Sequence, residues 1–535
     1  MIIAYYDFVN QSCTFECMTV KTSDESIVLA SDSATCASDD ILLAYQQFGM
    51  DCVNHLTGAF SFVLFDSRLK QLFVVRDKLG ERPMYYSQLP TGIMFSTDLR
   101  ALFSCVKYPA IRWHELAQPI RFNYPIELQH TWIEQIMRLR AGEYATVDKD
   151  GLRLHTYFRR SHAVTFTGSK NEAIQESLRL MRQSVNRCIQ MSPGPVAVML
   201  SGGIDSSSLA AFAKGIQNEV HVITAGYKGN TYTACDERQV ARRFAEEQGF
   251  IYHEVELEVE DFQNLLNEFV PYLDEPCFDV SSMSQYAVYK KAAELGFKTI
   301  LSGLGGDEQF YSYKGAHKIV DAAKNRREFV ELYPYKRNKT KWLAYILGHF
   351  KDLLLPTQTA CLSDMNPEMW VYGDYKKFAT TAQMEFNNET IRFKDIDVTR
   401  HFPDNTDIHS MYDYLFSTFA TTLCVYLGDK LCAANGIEIR YPLLDPDLVT
   451  FLDGLPLEMK FDPSSPKKFQ KEIMSGIVPD YILYARKRGF EPPFDFIRKM
   501  CGSYKYRVMN SDHVFFNSMV ADMMLSNMGF LKNKI

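Results

Sequence analysis

The hexapeptide Ser201-Gly202-Gly203-Ile204-Asp205-Ser206 has the residue types of a loop that grips polyphosphate. It follows a continuous apolar run, Val196 to Leu200, and precedes an amphipathic stretch that begins at Ser207, so it reads as a turn from the end of a buried strand into a helix. Glycines let backbone approach a phosphate closely, and the free N–H groups at a helix start, reinforced by the dipole, hold negative charge. Ser201 and Ser206 add hydroxyl donors. Asp205 cannot favour a bare phosphate by charge; its natural role is to help hold Mg2+, which then bridges pyrophosphate oxygens. A second loop, Ser302-Gly303-Leu304-Gly305-Gly306-Asp307-Glu308, ends another strand-like run, Thr299 to Ser302. Asp205 and Asp307 are therefore the candidate metal pair for a Mg2+–pyrophosphate unit. Leu200, Ser201, Gly202, Gly203, Asp205, Ser206, Ser302 and Gly303 are the candidate nucleotide-binding set. Taken singly, each loop also reads as an ordinary glycine-rich turn with a capping aspartate.

The elements that must position these loops alternate. A helix is expected from about Asn171 to Gln190, stopped by Pro193-Gly194-Pro195, and a strand over Val196–Leu200. Further strands are expected over Val220–Gly226, Ile251–Leu257 and Thr299–Ser302, with a helix over Glu237–Gln248. That order argues for a parallel, doubly wound α/β sheet, with its ligand at the carboxyl ends of the strands. From about residue 310 the chain reads as mostly helical. Before residue 165 the pattern differs: Phe60–Phe65, Leu72–Val75 and Gly92–Phe95 are short β-prone runs, with Asp66-Ser67-Arg68 as a hairpin connection. Two domains follow, 1–165 antiparallel and β-rich, and 166–535 α/β with a helical C-terminal part.

Bulk composition excludes several classes. The 535 residues are 46% hydrophobic and 23% charged, ordinary for a globular protein, with a net charge of −7 that gives no global footprint for nucleic acid. No apolar run is long enough to span a membrane, and the opening residues lack a basic, then apolar, secretory pattern. A cytoplasmic location is expected. The twelve cysteines are scattered without zinc spacing and read as reduced thiols. His155, His253 and His317 show no ligand spacing. The basic stretches Lys324-Asn325-Arg326-Arg327 and Lys336-Arg337-Asn338-Lys339 read as solvated faces.

Ser-Gly-Gly-x-Asp-Ser, without the lysine of the Gly-x-x-x-x-Gly-Lys loop, is the signature of the PP-loop, or N-type, ATP pyrophosphatases. More of the chain resembles the asparagine synthetase B-like superfamily. Leu56-Thr57-Gly58-Ala59-Phe60 and Arg76-Asp77-Lys78-Leu79-Gly80-Glu81-Arg82-Pro83-Met84-Tyr85-Tyr86 look like its glutaminase-type (Ntn-type) domain. Asp236-Glu237-Arg238, the Gly303–Glu308 loop, Gly428-Asp429-Lys430, Glu438-Ile439-Arg440-Tyr441-Pro442-Leu443-Leu444-Asp445 and Lys487-Arg488-Gly489-Phe490 follow in the family's order. The resemblance implies an ATP- and Mg2+-dependent enzyme that adenylates a carboxylate and then forms an amide. It also matches Lys467 to a family lysine that contacts the phosphates or the developing oxyanion, making Asp205, Asp307 and Lys467 the candidate catalytic set. The residues alone equally allow Lys467 to be a surface lysine beside Lys468, and Glu438–Arg440 to be a structural ion pair.

Two departures bear on the substrate. Working glutaminases of this family need a cysteine directly after the initiator Met, where this chain has Ile2; the nearest cysteine is Cys13. The glutaminase-like domain is thus expected to be degenerate. Leu304 stands where asparagine synthetases carry Glu and β-lactam synthetases a Tyr, and leucine can neither take a proton nor accept a hydrogen bond. The pattern is similar to that of the lasso peptide cyclases, or macrolactam synthetases. That resemblance implies adenylation of an Asp or Glu side chain in a leader-cleaved peptide and ring closure by its α-amine. The partners implied are a peptide substrate, a leader peptidase and a leader-recognition protein, without nucleic acid or membrane. The alternatives are a small-molecule amide or β-lactam-type synthetase, an ammonia-dependent asparagine synthetase and a silent nucleotide-binding scaffold. The identity of the peptide or other substrate, ring size, general base, oligomeric state, whether a leader peptidase complex is required and the role of residues 501–535 are left open.

Overall fold

Long apolar runs in the first domain become strands buried on both faces. A computed structural model of the chain describes residues 1–17, 20–21, 25–228, 236–313, 383–386, 389–392, 407–485 and 512–528. The expected hairpin pairs Phe60–Asp66 with Gln71–Arg76, with Asp66 opposite Gln71. It lies inside a six-stranded sheet that runs, in spatial order, Gly151–Thr156, Glu143–Asp148, Gln71–Arg76, Phe60–Asp66, Ile27–Ser33 and Val20–Lys21. A five-stranded antiparallel sheet (Ser12–Phe15, Ile3–Asp7, Gly92–Ser96, Tyr85–Leu89, Ile136–Arg138) shares a core with it. Val63, Leu72 and Val74 meet Tyr6 and Phe95 there. Phe62, Leu64 and Phe73 point the other way, onto Ile41, Leu42 and Tyr45 of the helix Ser38–Phe48. The period-two alternation is therefore hidden, because both faces are covered. The helices Ser38–Phe48, Leu99–Cys105 and Trp113–Phe122 are additions to the β-rich expectation.

The second domain is the expected parallel sheet with one more strand. Its order is Ile251–Leu257, His221–Tyr227, Val196–Met199, Thr299–Leu301 and Glu438–Arg440, parallel throughout. The first strand in sequence is central and the chain winds outward on both sides of it. The crevice where winding reverses lies between Val196–Met199 and Thr299–Leu301, which is where an open α/β sheet binds its ligand. One face is covered by the helix Lys170–Gln190, opened by a Ser169/Glu172 capping box, and by Ile204–Ala213 and Arg238–Gln248. Val259–Phe269, Ser281–Glu294 and Tyr426–Ala433 cover the other. Residues 408–433 are one continuous helical run, α over Ile408–Leu415, π over Phe416–Val425 and α again over Tyr426–Ala433. The helical expectation beyond 310 holds over 408–433, whereas Gln383–Phe386 and Glu389–Arg392 form an antiparallel pair. Of residues 501–535, the helix Asp512–Asn527 buries Met519, Val520, Met524 and Leu525 in the large core. His317, the two basic stretches and Lys487–Phe490 lie outside the described residues. Among the described residues no helix is long and apolar enough to cross a membrane.

The two domains share that core: Tyr85, Leu99, Trp132 and Ile136 pack in the same cluster as Met283, Tyr289 and Ile439. Buried charges cross the junction with it. Lys430 reaches Asp274 at 2.6 Å and Asp98 at 3.1 Å, and Asp274 is fully buried. Arg138 pairs with Glu275, and the Trp132 indole donates to the Asp274 carbonyl at 2.8 Å. Arg82 donates to Asp429 at 2.5 Å and also to Glu438. Removing one partner of such a pair strands the other charge in low dielectric. Lys430→Met is expected to destabilise the full chain by about 3–5 kcal/mol. Denaturant unfolding followed by tryptophan fluorescence checks this, and a loss below about 1 kcal/mol would mean that water reaches Asp274.

Candidate active site

The glycine loop is pinned before any ligand arrives. Leu200 continues the strand, its N–H donating to the Ile223 carbonyl at 2.9 Å. Gly202 takes φ +76, a conformation open to glycine at no steric cost, and Gly203 is the N-cap of the helix Ile204–Ala213. The Ser201 amide donates to Ser206 Oγ at 3.1 Å, and Ser206 Oγ donates to the Gly203 carbonyl at 3.2 Å. The loop is thereby closed onto its own helix, and the first-turn N–H groups, which have no partner inside the helix, face the strand ends.

The second loop lies against the first. A Cβ at Gly303 would stand 2.8 Å from Asp205 Cβ and 2.9 Å from the Ser206 nitrogen, and one at Gly306 would stand 2.0 Å from Asp205 Oδ1. These two positions exclude side chains so that the turns can touch. Ser302 is anchored by its amide to the Arg440 carbonyl at 3.0 Å and accepts the Leu304 amide at 3.4 Å on its hydroxyl. Leu304 itself packs against the large hydrophobic core.

Asp205 and Asp307 converge on one ammonium. Lys467 is 7% exposed; it donates to Asp205 and sits 2.7 Å from Asp307 Oδ1. Both carboxylates hold the Lys467 amine well above its usual range against the opposing effect of burial, so it stays protonated. Its backbone has φ +58, the left-handed region, at the N-cap of Lys468–Ile473. The surface-lysine alternative is thus excluded. Gln470, one helical turn on, donates to Asp205 Oδ1 at 2.8 Å, and Ser312 donates to Asp307 Oδ1 at 2.6 Å. Neither residue was singled out in the sequence. The donor set fits Mg2+, which is typically held by one or two carboxylates with substrate phosphates and water completing the shell. Among the described residues no group of three or more His, Cys, Asp or Glu side chains could form a self-sufficient metal cage.

A tight turn fixes Asp307. Tyr311 has φ +53, costly for an aromatic residue, and its hydroxyl is 2.9 Å from His409 Nδ1. The turn brings the Ser312 amide back to the Asp307 carbonyl at 3.1 Å. His409 stacks on His162 with centroids 4.1 Å apart, and His162 Nε2 lies 2.9 Å from Asp413. Burial, with the adjacent His162 and Lys460, pushes the His409 imidazole down to about 4.

The other motif residues have structural partners. Glu438 and Arg440 form a 2.8 Å pair at the domain junction, Arg440 also donating to the Cys188 carbonyl at 2.6 Å. Asp77 accepts the amides of Leu79, Gly80, Glu81 and Arg82. Arg238 bonds Asp236 and Glu254. His253 stacks on His221 and His155 on Tyr144. Ile2 is a buried core residue whose amide donates to Thr97 Oγ1 at 3.0 Å. Burial pushes the Cys13 thiol up, the opposite of what a nucleophilic thiolate needs.

Residues 176–513 match the Asparagine synthase family, and residues 24–158 match the Glutamine amidotransferase domain. Asparagine synthetase [glutamine-hydrolyzing] 1 of Bacillus subtilis is 25% identical over 478 residues, 86% of this chain and 72% of that protein. Amidase chry2 of Gibberella zeae is 23% identical over 483 residues, covering 83% and 70%. Amidase chyE of Penicillium rubens is 22% identical over 512 residues, covering 89% and 73%.

Two outcomes follow from the contacts. Gly306→Ala forces a methyl group into Asp205 Oδ1 and is expected to lower substrate-dependent ATP–pyrophosphate exchange about 100-fold or more while the far-ultraviolet spectrum is kept; exchange within about threefold of the parent would show that the two loops need not touch. His409 is neutral in the fold, whereas an unfolded histidine takes up a proton below its ordinary value of 6.5. Its contribution to stability is therefore complete above pH 6.5 and is lost as pH falls towards 4. Urea midpoints measured across that window should fall with pH in the parent protein and flatten in His409→Gln.

Proposed function

Because the chain belongs to the asparagine synthase family, whose members are ATP- and Mg2+-dependent, AMP-forming carbon–nitrogen ligases, we propose that it closes a macrolactam on a peptide. In this reading an Asp or Glu side chain of a leader-cleaved peptide is adenylated, and the peptide's own α-amine then displaces AMP. The observation that carries it is Leu304. The residue in the middle of the second loop is apolar and packed on the core, so the site has no proton acceptor at the place where a small-molecule amine would need one. A peptide α-amine, with a pKa of roughly 7.7–8.0, is partly neutral without such help, and tethering it to the acyl group raises its effective concentration. The absence of a thiol at residue 2, with Cys13 pushed up by burial, supports an amine that does not come from glutamine.

Chemically, a substrate carboxylate oxygen attacks the α-phosphorus of ATP in line and pyrophosphate leaves. The amides at the start of Ile204–Ala213, with Ser201 and Ser206, receive the phosphate oxygens. Asp205 and Asp307 would hold Mg2+, which supplies charge neutralisation to the leaving pyrophosphate. Lys467, permanently charged and already between them, is placed to offset the negative charge that develops during both half-reactions. Gln470 and Ser312 keep the two carboxylates aimed. A leader peptidase and a leader-recognition protein would deliver the trimmed peptide. A second reading, ammonia-dependent asparagine synthesis, shares its product with the Bacillus subtilis relative, whose name specifies glutamine hydrolysis, and is disfavoured by Leu304.

Incubating purified protein with ATP, Mg2+ and a candidate core peptide should give AMP and pyrophosphate and a peptide lighter by one water, read by mass spectrometry. Asparagine formed from aspartate and ammonium would overturn the peptide reading, and ADP with orthophosphate would overturn adenylation itself. Lys467→Met should lower kcat by about 100–1000-fold with a smaller change in the KM for ATP.

A further inference from the structure

A cavity of about 330 Å3 opens at the domain junction, away from the glycine loops. Its walls come from three places: Arg76, Lys78 and Arg140 of the first domain, Phe158 to Arg160 of the connecting segment, and Asp413, Phe416, Ser417, Thr421 and Thr422 of the helical run 408–433. Five cationic side chains face one carboxylate there, in a chain of net charge −7. Their pairing is incomplete. Arg140 has Glu143 and Arg160 has Asp453, but Arg76 donates only to the backbone carbonyls of Gly80, Arg82 and Leu139. Lys78 and Arg159 make no hydrogen bond or ion pair among the described residues; Lys78 lies over the Phe158 ring, at 6.0 Å, and within electrostatic reach of the Asp447 and Asp445 carboxylates. The Arg160 side chain is 10% exposed, yet its Nη1 is buried without a hydrogen bond, its Asp413 partner being 3.4 Å away. A buried guanidinium N–H that faces a carboxylate outside hydrogen-bond geometry is under-satisfied, and a ligand acceptor would complete it.

The opposite wall has the complementary polarity. It is formed by the π-helical stretch Phe416–Val425, a rare geometry found mostly at functional sites. Ser417 donates its hydroxyl proton to the Tyr414 carbonyl at 3.2 Å, Thr421 to the Ser417 carbonyl at 2.7 Å, and Thr422 to the Thr418 carbonyl. These oxygens are left as acceptors. A bare phosphate ester offers nothing to acceptors, whereas an N-acylated amino acid offers an amide N–H beside its carboxylate. Phe158 and Phe416 add apolar faces for a side chain.

We propose that this cavity is a second ligand site that binds the C-terminal residue of a peptide, or an acylamino acid, carboxylate towards Lys78, Arg159 and Arg160 and N–H towards the hydroxyls of the π-helical wall. Arg160 also donates to Gln309 at 3.3 Å, and Gln309 ends the short helix that carries Asp307, so Arg160 links an occupant of the cavity to the adenylation loop. The assignment does not rest on the macrolactam reading, because it concerns binding and requires no turnover.

Calorimetric titration of the full chain with N-acetyl-L-phenylalanine, N-acetyl-L-phenylalaninamide and inorganic phosphate tests it. The acid should bind saturably and the amide at least about tenfold more weakly, as loss of a charge-assisted pair requires. The double variant Lys78→Met/Arg159→Ser should weaken the acid by about tenfold or more, while Lys78→Arg/Arg159→Lys keeps it and ATP binding is the same in all three proteins. Failure of the parent protein to bind the acid, equal affinity for acid and amide, displacement of the acid by phosphate, or retention by the double variant while ATP binding is normal would each overturn the proposal.

Discussion

Lys467 stands between Asp205 and Asp307 and offsets the repulsion between their carboxylates. Two like charges about 4 Å apart at an effective dielectric near 20 repel by about 4 kcal/mol, and burial adds to that cost. An ammonium at 2.7 Å from one carboxylate and bonded to the other reverses the sign. Much of the local structure follows from bringing these three groups together. Lys467 lies 262 residues from Asp205 in sequence and reaches it with a left-handed backbone. Gly303 and Gly306 lack side chains where Asp205 would collide with them. Tyr311 accepts an unfavourable φ so that Ser312 can bond Asp307. Strain at Lys467 and Tyr311 thus lies beside the charges it positions.

The same reasoning accounts for a glutaminase-like domain without a thiol at residue 2. Its five-stranded sheet has its outer face in the core that the second domain builds on its own sheet, and Trp132, Arg138 and Asp98 all bond across the junction. Taking the domain away would expose that core and leave the fully buried Asp274 with a partner missing. The domain has a structural reason to persist whatever became of its chemistry. The junction cavity is a product of this joining, since neither domain alone supplies both its cationic and its hydroxyl walls.

What was legible in the sequence had a local cause. Val196–Met199 and His221–Tyr227 are covered on both sides, so they are continuous apolar runs, and the loops after Leu200 and Leu301 carry glycines that serve contacts within a few ångströms. What was not legible depends on long-range partners. Lys467 beside Lys468 looks like any exposed pair until Asp205 and Asp307 are folded against it; only resemblance pointed to it. Asp274 and Arg138 are buried, yet nothing near them in sequence distinguishes them from surface charges. Glu438–Arg440 is a three-residue strand that exists because Thr299–Leu301 offers it an edge. The helix Trp113–Phe122 carries Pro119 within it, a residue that reads against a helix interior. The π-helical turn in Phe416–Val425 leaves no mark on an apolar pattern that an α-helix would share.

These differences in cause separate the two half-reactions. Adenylation needs phosphate amides, two carboxylates and a lysine, and those are supplied by backbone turns and one ion cluster that would serve any carboxylic acid. Amide formation needs an amine of the right basicity at the right distance, and no group in the cluster discriminates among amines. Selection must therefore act on surfaces that border the cluster without belonging to it. In the proposed reading Leu304 is one such surface: an apolar residue packed on the core, it offers no proton acceptor and so would favour amines that are already neutral or firmly tethered. The wall carrying Arg160 is the other, since it meets Gln309 two residues from Asp307 and can sense part of a substrate remote from the reacting acid. A chain can keep the first half-reaction unchanged and acquire a new product by altering these two borders alone.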